Sequence, residues 1–159
     1  MSFFRRLFGP KIVTNRRRIP GELAEITLRL KLAGCFAKNY HHVGTKREVA
    51  VTTKEMIQWA SDKAYLKHIK EVWECEQQAA EAVQTLHKFA ISEGCSHACG
   101  YLIGLDVQDR SPDEEQDSHV WVWGIVQDPD TSLRVVLYDT TNREWSDIPD
   151  VGEITFSLL

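Results

Sequence analysis

Several features that would assign this chain to a common protein class are missing from its sequence. Its 159 residues contain no run of about 18 apolar residues, so we expect no transmembrane segment. The N-terminus has neither the apolar core nor the small-residue cleavage site of a secretory signal peptide, and we therefore expect a cytoplasmic protein. Gly-rich phosphate loops of the P-loop or dinucleotide type are missing too. The sequence thus gives no support to nucleotide chemistry, and it predicts no cofactor.

Cysteine is scarce, because the chain has only Cys35, Cys75, Cys95 and Cys99. Four cysteines are too few for a disulfide scaffold of this size, and in a reducing compartment they stay thiols. The segment from Cys95 to Cys99 also contains His97, but a C-x3-C spacing without a second pair leaves a zinc site short of ligands. We therefore predict no metal site, and thiols that remain available for chemistry.

Acidic residues are absent from positions 1–20, which carry six basic side chains. The remaining 139 residues carry 13 basic and 23 acidic side chains, a net charge of −10. We predict a basic, aromatic N-terminal arm over residues 1–20 and a single domain over residues 21–159. The arm would lie on a membrane surface, dock on a protein partner, contact nucleic acid or pack back on the domain. Nucleic acid is disfavoured, because nucleic-acid-binding domains spread basic charge over their folded body.

Hydrophobic periodicity predicts helices in the first half of the chain. Residues 22–33 have apolar positions at helical spacing, which we favour over the strand that their partial alternation also allows. A loop is expected over residues 35–44, and a short extended piece over residues 47–51. Thr53 is a suitable N-cap for the next helix. A long helix is expected from Cys75 until Gly94 ends it.

Strand patterns dominate the second half of the chain. Residues 119–127 and 133–138 alternate cleanly and are joined by a turn with Asp and Pro residues, so they predict an antiparallel hairpin. Residues 99–107 predict a further strand, and residues 154–158 an edge strand. The acidic stretch 108–118 predicts a flexible loop. The predicted fold class is α+β, with N-terminal helices, a long central helix opened by Cys75, and then an antiparallel sheet.

A cysteine, a histidine and an aspartate fall at the edges of these elements. Cys75 enters the first turn of the long helix, where the helix dipole favours thiolate. His119 begins one strand of the hairpin and Asp139 ends the other, 11 residues before and 9 after residue 130. The two should therefore face each other within about one register step, with Asp139 orienting the imidazole that serves Cys75 as base.

Other residues near Cys75 bear on what this site does. An oxyanion would be held by the Cys75 backbone N–H and by a second donor from Gln77, Gln78 or the region of Trp73. Glu74 and Glu76 disfavour a thiolate unless they point away. The structural alternative is that Cys75 is a small core residue, His119 a strand-end residue and Asp139 a turn former.

The segment Glu74-Cys75-Glu76-Gln77-Gln78-Ala79 resembles a signature of the transglutaminase-like branch of the papain-like cysteine hydrolase superfamily, in its small bacterial and phage-encoded members. In these proteins a Gly-containing strand, a His-led strand and an acidic residue before a polar pair follow the cysteine, as Asp139-Thr140-Thr141 do here. Gln77 and Gln78 replace an acidic and an aromatic residue of that signature. The resemblance implies Cys75 as nucleophile, His119 as base and Asp139 as orienting residue.

The leading hypothesis is a cysteine-dependent peptidase or amidase that acts on a peptide or amide substrate through an acyl-enzyme intermediate. The alternative is a non-catalytic binding or structural protein on the same scaffold, associated with phage, that docks through its N-terminal arm. The reactivity of the Cys75 thiol separates the two. Trp121 and Trp123 share one face of their strand, and we predict core packing for them rather than a platform for sugar or peptide.

Overall fold

The computed structural model describes residues 16–67, 75–91, 94–106, 118–146 and 151–159. Most of the predicted N-terminal arm and residues 108–117 of the predicted acidic loop 108–118 lie outside these ranges. Within the described residues, three helices and nine strands follow one another: β1 (Arg18–Pro20), α1 (Gly21–Lys31), β2 (Phe36–Val43), β3 (Glu48–Ala50), α2 (Lys54–Lys67), α3 (Cys75–Ile91), β4 (Ser96–His97), β5 (Cys99–Asp106), β6 (Ser118–Gln127), β7 (Leu133–Asp139), β8 (Glu144–Ser146) and β9 (Val151–Leu158).

In this part of the chain the strands form two sheets. The larger sheet has the order β2-β9-β5-β6-β7-β8, and the smaller has the order β1-β3-β4. Pairing is antiparallel from β9 through β8, but β2 runs parallel to β9 and β3 runs parallel to β4. Both sheets are therefore mixed.

The predicted fold class, an α+β papain-like or transglutaminase-like core with helices first and an antiparallel sheet second, is wrong. Strands outnumber helices among the described residues, and they begin before the first helix. Residues 36–43, predicted as a loop, form β2, while β9 is an interior strand between β2 and β5 rather than an edge. Sequence patterns do not reveal β2, because this strand is polar, is half-exposed and pairs with the far end of the chain without a hairpin.

Elements that depend on local sequence were predicted correctly. The helix α1 spans Gly21–Lys31, and the Thr53 hydroxyl accepts a hydrogen bond of 3.2 Å from the Met56 N–H at the start of α2. The hairpin of β6 and β7 pairs from Val122 with Tyr138 to Gln127 with Leu133. Capping and alternation are short-range signals, which explains why they were visible without the rest of the fold.

The larger sheet is buried on both faces. One face packs with α1 and the smaller sheet around Leu28, Trp121 and Trp123. The other face packs with α2 and α3 around Ile57, Leu86 and Val122. Trp121 is 1% exposed and Trp123 is fully buried, so the prediction that both belong to the core is confirmed. The helices of the described ranges include none with the length and apolar character needed to cross a membrane.

Residues 16–20 already belong to the packed body. Ile19 is 1% exposed, and β1 pairs with β3 through the register of Arg18 with Ala50. The boundary between arm and domain at residue 20 stays a prediction, but the last residues of that arm contact the domain directly.

The close approach of β5 and β9 depends on Gly100. A Cβ at this position would collide with the Leu158 carbonyl group, which is backbone and has no rotamer with which to move aside. We expect Gly100→Ala to lower the free energy of unfolding by about 2 kcal/mol or more, measured by urea denaturation.

Gly34→Ala is the matched control for this substitution. Its Cβ would meet open space, and only the strain of φ +87° applies, at a cost of about 1 kcal/mol. If Gly100→Ala destabilises the protein no more than Gly34→Ala, the β5–β9 pairing described here is wrong.

Candidate functional site

The structure brings His119 and Asp139 together at one end of the β6–β7 hairpin. The register of β6 with β7 ends with Val122 opposite Tyr138, three residues after His119 and one residue before Asp139. His119 Nε2 and Asp139 Oδ2 are 2.8 Å apart, and the two side chains are 14% and 6% exposed. This is a short, largely buried hydrogen bond between an imidazole and a carboxylate.

Four hydrogen bonds fix the position of the Asp139 carboxylate. Its Oδ1 accepts hydrogen bonds of 2.9 Å from the backbone N–H groups of Thr141 and Asn142. Its Oδ2 accepts one from the Asn142 side-chain amide at 2.9 Å, in addition to the bond from His119. Burial acts to raise the pKa of Asp139, but the bonds from His119 and Asn142 outweigh it and hold the pKa below its ordinary value. The group is an oriented carboxylate.

The environment of His119 favours its protonated form. Burial disfavours the imidazolium, but hydrogen bonds to Asp139 and to Cys75, together with the charge of the carboxylate, raise the pKa of His119 to about 10. The imidazole is therefore protonated near neutral pH. The Trp121 ring meets it edge to face, with ring centroids 4.6 Å apart, and limits its movement.

Cys75 completes the group from the helix α3. Its side chain is half-buried and packs against the core cluster on the α2 and α3 side of the larger sheet. Because Nε2 of His119 bonds Asp139, Nδ1 is the ring nitrogen left for the hydrogen bond with Cys75. Hydrogen bonds thus connect the thiol, the imidazole and the carboxylate in that order.

Gln78 of α3 contacts the turn that follows Asp139. It lies one turn after Cys75, is 7% exposed, and its Oε1 accepts a hydrogen bond of 3.2 Å from the Thr141 hydroxyl. Gln77 is exposed on the surface of α3. Trp73 and Glu74 lie outside the described residues. Among the predicted oxyanion or substrate residues, Gln78 thus touches the loop that holds Asp139.

Asn142 is a site residue that the sequence analysis missed. It donates to both carboxylate oxygens of Asp139, once from its backbone and once from its side chain. An Asp followed three residues later by Asn in a turn is a usable signal, because Asx turns bind backbone N–H groups two or three residues on. After this turn, β8 returns to pair with β7.

The cysteines and histidine near residue 97 do not form a metal centre. Cys95 donates from its thiol to the Glu48 carbonyl oxygen at 3.4 Å, and burial raises the pKa of Cys99 to about 12. His97 is fully buried against the Arg16 guanidinium, 2.7 Å from its Nδ1, and burial lowers its pKa to about 3. Across the ranges that the structure describes, no cluster of three or more metal-ligating side chains exists.

Comparison with known proteins gives structural neighbours alone. No family model and no curated protein matches the chain. Among solved structures, PSL1a in complex with E64 matches with a TM-score of 0.65 and 16% identity, over 89% of this chain and 51% of that one. A lectin of Polyporus squamosus bound to the epitope Neu5Acα2-6Galβ1-4GlcNAc matches with a TM-score of 0.60 and 15% identity, over 94% and 55%. The chain thus shares its fold with these proteins and spans about half of their length.

These neighbours correct the family and the activity expected from the sequence. One of them is a lectin, and the resemblance to transglutaminase-like or papain-like hydrolases that was drawn from the sequence is wrong. The peptidase or amidase hypothesis, with its peptide or amide substrate, is contradicted by the same comparison, and nothing supports an association with phage. The short motif misled because a cysteine among polar residues at a helix start recurs outside any one family.

The His119–Asp139 bond makes the stability of the protein depend on pH. His119 has a folded pKa of about 10 against an ordinary value of 6.5, so its contribution is complete below pH 6.5 and is lost as the pH rises toward 10. Urea unfolding should show the free energy of unfolding of the native sequence falling through this window. Asp139→Asn should lose about 3 kcal/mol at pH 6 and show a flatter dependence. Parallel pH profiles for the two proteins would mean that the pair is not formed.

Proposed function

We propose that this chain is a binding domain whose ligand site carries an activated thiol, Cys75, served by His119 and Asp139. The observation that carries the proposal is the 2.8 Å bond between His119 and Asp139 beside the half-buried thiol. A carboxylate that orients an imidazole next to a cysteine is the arrangement that generates a nucleophilic thiolate. The alternative role of these residues as packing and turn formers does not explain a buried imidazolium placed between them.

The contacts of His119 support this proposal. A hydrogen bond joins its imidazole to the Cys75 side chain, so that a base lies next to the sulfur. Asp139 keeps the imidazole oriented while it remains ionised itself. The low exposure of both partners limits the screening of their charges by water.

The chemistry that follows is covalent capture of a ligand with an electrophilic carbon. With an epoxide as the ligand, the Cys75 sulfur attacks a ring carbon, a C–S bond forms and the C–O bond breaks. The electron pair of that C–O bond goes to the oxygen, which takes the proton from the His119 imidazolium. This step consumes one ligand and leaves one thioether, so it is binding rather than turnover.

One structural neighbour supports the choice of probe. PSL1a is recorded in complex with E64, and E64 is an epoxide, a class of compound that alkylates thiolates. Because the identity is 16%, that likeness concerns the fold, and the reactivity of Cys75 is our proposal.

The proposal predicts selective alkylation of Cys75. With E64 and with iodoacetamide at neutral pH, mass spectrometry should find Cys75 modified at least about tenfold faster than Cys35 or Cys95. His119→Ala should slow this reaction to the rate of an ordinary thiol, because it removes both the positive charge and the hydrogen bond.

His41→Ala is the matched control, since His41 is an exposed histidine on β2 and should leave the rate unchanged. Circular dichroism confirms that each variant is folded. Equal rates at Cys75, Cys35 and Cys95 in the native protein refute the activated thiol.

Carbohydrate binding is a second candidate, favoured by the likeness to a lectin and by one aromatic side chain. Trp145 is half-buried, and the Lys54 ammonium lies 4.6 Å from its ring centroid. Both line a cavity of about 230 Å³ together with Lys31. An indole beside the basic side chains of Lys31, Lys54 and Arg134 suits an acidic sugar, whose carboxylate pairs with the ammonium groups next to the indole.

This candidate predicts binding of Neu5Acα2-6Galβ1-4GlcNAc next to Trp145. Titration into ¹⁵N-labelled protein should shift the Trp145 indole resonance, and the trisaccharide should bind more tightly than Galβ1-4GlcNAc, which lacks the carboxylate. Trp145→Ala should abolish the binding, while Lys38→Gln, a cation on β2, should not change it. Unchanged spectra at millimolar sugar exclude this surface as a carbohydrate site.

A further inference from the structure

A second cleft, separate from the thiol site, lies between α3 and the smaller sheet. Its volume is about 830 Å³, within the range of roughly 300–1,000 Å³ that is usual for ligand pockets. Its lining from α3 includes Gln84 and Lys88, nine and thirteen residues after Cys75. At 1.5 Å per residue these positions are roughly 14–20 Å from Cys75 along the helix. None of the three thiol-site residues lines it.

Three cations from three elements line this cleft: Arg18 of β1, Arg47 just before β3, and Lys88 of α3. Among the described residues, Glu48 is the single acidic side chain in the lining. The described part of the lining therefore has a positive formal charge, although the whole chain carries a net charge of −4. Basic side chains that cluster in one cleft of an acidic protein require a physical explanation.

The arginines of the cleft differ from other arginines on this surface. Arg29 pairs with Glu25 at 3.1 Å, Arg134 with Asp128 at 3.0 Å and Arg143 with Asp62 at 3.0 Å. Within the described residues, by contrast, no carboxylate pairs with the side chains of Arg18, Arg47 or Lys88. Their donors remain available to a ligand.

The walls that carry these cations are fixed in place. The Arg47 carbonyl accepts a hydrogen bond of 3.0 Å from the Gly21 N–H, and β1 and β3 pair with each other through Arg18 and Ala50. In the lining of the same cleft, His87 has both ring nitrogens engaged, Nε2 with the Cys99 carbonyl oxygen and Nδ1 with the Ser96 hydroxyl, each at 3.2 Å. A ligand therefore meets a largely formed wall and immobilises few side chains when it binds.

We propose that this cleft binds a compact ligand with two or more oxyanion groups, either phosphates or carboxylates. Arginine forks match the oxygens of both groups bidentately, and Lys88 adds a point charge from the opposite wall. A long polyanion is disfavoured, because beyond the cleft it would run over an acidic surface. This proposal is independent of the thiol site.

Isothermal titration calorimetry at low salt tests this proposal with pyrophosphate and with citrate as probes. The probe that binds shows whether the oxyanion groups of the ligand are phosphates or carboxylates. We expect one-to-one binding with a Kd below about 1 mM. Arg18→Gln and Arg47→Gln should each weaken it about tenfold, since each removes a charge-assisted contact. Lys88→Gln should weaken it less. Raising the salt concentration tenfold should weaken it as well.

Lys38→Gln is the matched control, because Lys38 is an exposed cation on β2 outside the cleft, and this variant should bind like the native protein. Thermal unfolding confirms that every variant is folded. Three results overturn the proposal: neither probe binds, Lys38→Gln weakens binding as much as Arg18→Gln, or a single-stranded oligonucleotide binds more tightly than both probes.

Discussion

The pairing of β6 with β7 is the interaction on which both the core and the thiol site depend. The two strands run antiparallel from Val122 with Tyr138 to Gln127 with Leu133, and their residues are buried on both faces of the larger sheet. One face holds Trp121 and Trp123 against α1, and the other supports α2 and α3. At the open end of this hairpin, the same register brings His119 to Asp139, so the packing that stabilises the domain also positions its chemistry.

The buried charge of the Asp139 carboxylate is stabilised by hydrogen bonds. A buried carboxylate is costly unless its oxygens are hydrogen-bonded. Asp139 accepts four hydrogen bonds, three of them from Thr141 and Asn142 in the turn that follows it. Once the carboxylate is fixed, it stabilises the His119 imidazolium against the penalty of burial. The turn after β7 is thus as much a part of the site as the three residues that the sequence singled out.

How far the sequence predicted this protein depends on the range of each signal. The N-cap at Thr53, the helix after Pro20 and the β6–β7 hairpin are local patterns, and the count from residue 130 pointed to the neighbourhood of His119 and Asp139. Long-range pairing was not visible: β2 joins β9 in parallel from the other end of the chain. The family assignment failed for a different reason, since a short cysteine motif and the order of the elements over about residues 53–145 do not specify a family. The cationic cleft escaped notice because Arg18, Arg47 and Lys88 are far apart in sequence and meet only in the fold.

The central claim is that His119 is an imidazolium at neutral pH, held by Asp139 against Cys75. The most direct test is the ¹⁵N chemical shift of both His119 ring nitrogens, followed by NMR from pH 5 to pH 11 in the native protein. Our account predicts that both nitrogens stay protonated at pH 7 and lose a proton only near pH 10. A His119 ring that titrates near 6.5, the ordinary value for histidine, would contradict it, because an unperturbed imidazole has no charged partner on either side.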